Sequence, residues 1–172
     1  GAGNLDIRNN IMTNSSTFST PIATKKAFAI VCIPATTIFT NIDYNDYYAS
    51  GVDGILGFQT SNRTTMDDWR TATGKDANSM AWDPQYTTPT NLIPQSNSVN
   101  GKGMPITGIT TDILGNPRSD AVANGPTDMG AYEFSGGTTT SMVHTINADG
   151  PYNFGYGGTI YGTIIITGYT AD

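Results

Sequence analysis

The sequence has little of what most enzymes and membrane proteins use. It holds one cysteine, Cys32, and one histidine, His144, in 172 residues. A single cysteine excludes an intrachain disulfide. Lying in the apolar run Phe28-Ala29-Ile30-Val31-Cys32-Ile33, it reads as a small buried hydrophobe and not as a reactive thiol. One cysteine and one histidine cannot complete a four-ligand zinc site. His144 lies far in sequence from any nucleophile motif, so a Ser-His-Asp triad is not supported. Charged residues make up 13% of the chain, with a formal net charge of −6. That balance offers no basic surface for nucleic acid and no electrostatic pull toward anionic lipid. No segment is long and apolar enough to span a bilayer. No phosphate-binding glycine loop is present, because Gly155-Tyr156-Gly157-Gly158 precedes a strand-like run instead of a helix.

What is abundant is Gly, Thr, Asn and Ser. With so few charges, this mixture suits an all-β, turn-rich extracellular protein. Leu5, Ile7 and Ile11 follow strand periodicity around the turn signal Asn9-Asn10. Strands are expected over 27–33 and 36–42, with a Gly-rich loop over 49–63. One helix is expected over 65–73, capped by Thr65, favoured by Asp67 and Asp68 near its positive end, and stopped by Gly74. Met66, Trp69 and Ala72 would form its buried side. Residues 75–110 read as short strands alternating with turns. Residues 135–141, SGGTTTS, read as a linker. After it, 142–172 reads as a tail of two or three strands.

Two motifs organise the chain. Asp112-Ile113-Leu114-Gly115-Asn116-Pro117-Arg118 is a tight turn followed by a cation. Asp128-Met129-Gly130-Ala131-Tyr132-Glu133-Phe134 brings two acids. The planar fork of Arg118 suits carboxylates, so Asp112, Arg118, Asp128 and Glu133 are expected to form a structural clip. A metal or catalytic carboxylate site is the alternative. In Asp43-Tyr44-Asn45-Asp46-Tyr47-Tyr48, the rings of Tyr44, Tyr47 and Tyr48 combine a flat apolar face with a hydroxyl. They are candidate carbohydrate contacts, with packing as the competing role. Asp43, Asp46 and Asp53 could take calcium, but their spacing is not that of an EF-hand loop.

The pair of closing motifs resembles the end of secreted bacterial right-handed parallel β-helix proteins, the pectate-lyase-like superfamily, with Met129 in place of the usual Ile. Asn9-Asn10-Ile11 resembles the asparagine-bearing coil turn of that family. Asp43–Tyr48 and the run from Asp68 to Pro84 resemble its late coils. The resemblance implies an all-β fold in which residues 1–134 are the terminal coils of a β-helix with one short capping helix, and 142–172 is a β-strand tail. It implies secretion, with this chain a mature or processed piece that lacks upstream coils. It carries over no catalytic residue, because the acids and basic residue used by lyases of the superfamily have no counterpart here. Two functions follow as expectations. One is a non-catalytic structural or adhesive surface protein that assembles with itself, or pairs with missing upstream coils, through an open coil end and a tail carrying Ile160, Ile164, Ile165 and Ile166. The other is the C-terminal segment of a secreted polysaccharide lyase or glycan-binding protein. No cofactor is expected, calcium apart.

Overall fold

The computed structural model describes residues 4–20, 24–33, 35–118 and 127–134. The chain divides into two units, Gly1–Thr138 and Thr139–Asp172, and every described residue belongs to the first. The linker at 135–141 and the tail at 142–172, with its four isoleucines and His144, lie outside the described residues.

Six short strands form two sets of three: β1 (Leu5–Arg8), β2 (Ile11–Asn14), β3 (Ala27–Val31), β4 (Phe39–Asp43), β5 (Asp46–Ala49) and β6 (Gly54–Gln59). The short β7 (Ser61–Arg63) and the helix α1 (Met66–Thr73) follow. A 3-10 turn, Thr36–Ile38, leads into β4. The strands pair as two successive triplets: β1 lies parallel to β4, β2 to β5 and β3 to β6. Among the strands of the described residues β7 alone pairs antiparallel, on the far edge of β6. Parallel partners need a long connection between them, and here each connection is itself the rest of a triplet. The described residues therefore form a β-rich fold, with small sheets and one short helix.

Register carries like onto like. Leu5 sits on Phe39, Ile7 on Ile42, Met12 on Tyr47 and Phe28 on Ile55. The bends between strands also repeat. Asn9, between β1 and β2, and Tyr44, between β4 and β5, both adopt left-handed backbone with φ of 58° and 55°. Beside them, Asn10 donates its amide N–H (3.0 Å) and side-chain amide (3.1 Å) to Oδ1 of Asn45, 35 residues on. Asn45 in turn donates its N–H to Ser79 Oγ at 2.8 Å. Asn10, Asn45 and Ser79 form a ladder that ties the bends together. Amide side chains suit this place because they donate and accept at once.

The core joins Ile30, Cys32, Phe39, Ile42, Tyr47, Leu56 and Trp69, with Ile7, Met12 and Ala29 packed against it. α1 closes one side of it. Thr65 caps the helix by accepting the Asp68 N–H at 3.1 Å, and Gly74 ends it in left-handed backbone with φ of 64°. The helix buries Trp69 and Thr73, while Met66 and Ala72 are half-buried. Trp69 lies against Gly57 so closely that an added Cβ would meet the indole at 2.9 Å. Its N–H donates to Asp76 Oδ2 at 2.7 Å.

Two expectations about elements are corrected. Residues 49–63 are not a loop, since they hold β6 and β7. Gly57 reads as a loop residue in sequence, but it is where the indole needs a bare backbone. Residues 75–110 hold isolated bridges and turns, and no strand. Met80 makes a single parallel bridge to Asp46, and Thr88 an antiparallel one to Asn91. Pro84, Pro89, Pro94 and Pro105 have no N–H to give a ladder.

Candidate functional site

Three polar features stand out, and the first is buried. Asp76 is 1% exposed and accepts from four donors: Tyr47 Oη (3.0 Å), the Ser79 hydroxyl, Asn45 Nδ2 (3.4 Å) and Trp69 Nε1. Arg70 fixes the same segment from outside, donating Nε to the Asp76 carbonyl at 3.0 Å and Nη2 to the Ser79 carbonyl. A buried carboxylate is tolerated when its lone pairs are filled in this way. The sequence signal for this centre was modest. It consisted of an acid two residues beyond the stop glycine of a helix.

The second feature is a groove of about 400 Å³ bordered by Arg8, Asn41, Asp43, Tyr44, Lys75 and Asn78, among others. Asp43 builds its wall. The carboxylate accepts the Tyr44 N–H (2.9 Å), the Asn78 N–H (2.7 Å) and the Asn78 side-chain amide (2.8 Å). Arg8 is paired with Asp6 at 2.6 Å, and Asn41 donates to the same carboxylate at 3.0 Å. The hydrogen bond from Arg8 holds the Asp6 carboxyl below its ordinary pKa. This combination offers one aromatic ring, two amide side chains and a lysine amine to a polar ligand.

The three tyrosines proposed as sugar contacts are separated. Tyr44 borders the groove and is half-buried. Tyr48, also half-buried, donates its hydroxyl to Asp83 Oδ2 at 3.1 Å. Tyr47 is 1% exposed, with its ring centroid 6.2 Å from that of Trp69. Burial, then the Asp76 charge, push its pKa well above the ordinary phenol value. Tyr47 therefore offers no ring face to a sugar. It packs into the core beside the equally buried Asp46.

The third feature is the closing clip, which brings together Asp112, Arg118, Asp128 and Glu133. Arg118 donates Nη1 to Glu133 Oε1 (2.9 Å) and to the Asp128 carbonyl (3.1 Å), and Nη2 to the Gly130 carbonyl (2.7 Å). Asp112 accepts the N–H groups of Leu114, Asn116 and Glu133 and the side-chain amide of Asn116. Burial works to raise its pKa, but these four donors prevail and hold it at about 2. Asp128 accepts from Gly101 and Phe134. Burial raises the pKa of both Asp128 and Glu133. The guanidinium thus touches one carboxylate and two carbonyls, and the acids spend most of their lone pairs on backbone N–H groups. This is fastening geometry, with no open carboxylate pair.

The three acids considered for calcium do not converge. Asp43 serves the groove wall, and Asp53 pairs with Lys26 at 3.1 Å. Asp46 is fully buried. Among the described residues no group of three His, Cys, Asp or Glu side chains is placed to hold a metal, and no helix is long and apolar enough to cross a membrane.

No family model matches the chain, and neither a curated protein nor a solved structure shows significant similarity to it.

Proposed function

We propose that residues 1–134 are the closing coils of a right-handed parallel β-helix of the pectate-lyase-like kind. In this reading the protein is a non-catalytic structural or adhesive element that works outside the cell and associates with copies of itself. The observation that supports it most is an asymmetry of edges. On the far side of the second triplet, β7 pairs with β6, Met80 bridges β5 at Asp46, and the Ile42 carbonyl of β4 accepts the Asp76 N–H at 3.2 Å. Among the described residues β1 and β2 have no strand partner beyond β4 and β5, and β3 none beyond β6, although Asn9 in the first bend bonds Met104 and Gly130. Unsatisfied edges and a half-covered apolar interior are templates for further strands, and the same edge of a second copy supplies them across a two-fold axis.

Light scattering with negative-stain microscopy tests the reading. Regular oligomers or fibres are expected, growing with protein concentration. A Met12→Lys substitution, which places a charge where a stacked copy would bury apolar surface, should return them to monomers. A monomer at all accessible concentrations sinks self-association. Deleting residues 139–172 then separates the tail's contribution from that of the strand edges. Robust release of unsaturated products from pectin or alginate with added calcium would overturn the non-catalytic part.

The groove beside Tyr44 favours a second reading, as a glycan-binding protein. Oligosaccharides with accessible hydroxyls should perturb the NMR signals of Tyr44, Asn41 and Asn78 and lose affinity on Tyr44→Ala. Perturbation spread evenly over the surface would count against it.

A further inference from the structure

Asp46 opens β5 and is 0% exposed. Its Oδ1 accepts the Trp82 N–H at 2.8 Å. Its Oδ2 is enclosed and has no hydrogen-bond partner. A carboxylate so placed would leave a charged oxygen without solvent or donor, whereas a carboxylic acid carries a proton there and no net charge. The titratable groups around it add no compensation. Asp83 and Tyr86, from the segment after β5, and Tyr48, from β5 itself, are the groups electrostatically coupled to Asp46. Asn10 and Ile11, which face the start of β5 from the first triplet, do not titrate.

The segment this carboxyl touches lies over the strand in several places. Met80 exchanges backbone hydrogen bonds with Asn45 and Tyr47. Asp83 takes the Tyr48 hydroxyl. Pro84 is fully buried, and its carbonyl accepts the N–H groups of Gln95 and Ser96 at 3.0 and 3.3 Å. Of the contacts between this segment and β5, the one from Trp82 depends on the protonation state of a buried acid.

We propose that Asp46 is a protonation-controlled latch: as a neutral carboxyl it holds the segment starting at Trp82 against β5, and as a carboxylate it loosens that segment. Burial, with the nearby Asp83 charge adding to it, pushes the Asp46 pKa up to about 7, although the Trp82 N–H works the other way. The sign follows from linkage. An opened segment returns Asp46 to water and to an ordinary carboxylate pKa. The closed form is then favoured fully in acid, loses ground as pH rises from about 4 to about 7, and levels off above that. A pKa gap of about three units caps the change in the closing equilibrium at roughly a thousandfold. The inference is independent of self-association.

Hydrogen exchange of the full chain tests it, read at the Trp82 amide and corrected for intrinsic exchange. The opening constant should rise by at least tenfold from pH 5 to pH 8. In Asp46→Asn, neutral at every pH and still an acceptor for the Trp82 N–H, it should stay flat. Asp83→Asn, which removes a negative charge beside Asp46, should move the midpoint to lower pH. Carboxyl 13C titration of the wild-type protein keeps the question decidable should Asp46→Asn not fold. A midpoint between pH 6 and 8 supports the latch, and one below 5 overturns it. An opening constant that does not change with pH, or changes equally in Asp46→Asn, also overturns it.

Discussion

Ile7 and Ile42 occupy the same position in successive strand triplets, one stacked on the other. Ile42 is 3% exposed, while Ile7 is half-buried. Leu5 and Phe39 show the same contrast, at 41% and 8%. Side-chain chemistry does not account for it, since both triplets place apolar residues at equivalent points. The difference is in what comes next. The second triplet is followed by Trp69 and the Asp76–Ser79 segment, which cover it. Among the described residues the first meets Met104 and Gly130, at Asn9 and Ile11, on its other side, and no strand partner. Burial here is a property of position in a stack more than of any single residue, and the same substitution should cost different amounts one triplet apart.

The largest effect is expected where the covering itself is removed. Trp69→Ala takes away a fully buried indole and leaves Asp76 Oδ2 without its donor, so a loss of about 3–5 kcal/mol is expected in urea denaturation. A loss below about 1 kcal/mol would mean that the helix does not close the second triplet. Next come the ladder asparagines. Asn45→Ala takes a fully buried side chain away, and with it an acceptor for Asn10 and a donor to the Ile7 carbonyl. It should cost roughly 2–3 kcal/mol, against about 1 kcal/mol for Asn10→Ala. Equal losses would erase the distinction between the triplets. The smallest and most direct comparison is Ile42→Val against Ile7→Val. The first should cost about 1 kcal/mol and the second about half as much. If copies stack on the first triplet, that gap should narrow as protein concentration rises, which equilibrium denaturation at two concentrations can read.

Local features of the chain were legible in sequence. Thr65, Asp68 and Gly74 announce the start and end of α1, because capping uses few residue types at fixed offsets. Arg118, Asp112 and Glu133 announce the clip, because a planar cation among acids has few other uses. Asn9-Asn10 announces a bend, and Asn10 does ladder with Asn45. What sequence could not supply was facing. Tyr44, Tyr47 and Tyr48 look alike in a row, and only the register of β5 against β2 decides that Tyr47 turns into the core. Gly54 and Gly57 likewise hid β6, since a glycine demanded by a tryptophan twelve residues later reads as a loop. The burial of Asp46 was equally hidden, because it depends on where Trp82 and Pro84 come to lie.

Gly57 sits on Ile30 in the parallel pairing of β6 with β3. Where the earlier strand has a branched side chain, the later one has none, and the indole of Trp69 occupies the vacated volume. In terms of substitution, the two stacked positions are not interchangeable: a side chain at 57 would have to displace the indole, while a glycine at 30 would leave a void beside it. The missing carbon atom at position 57 is thus an address: it says where along the strand the helix sets down its tryptophan.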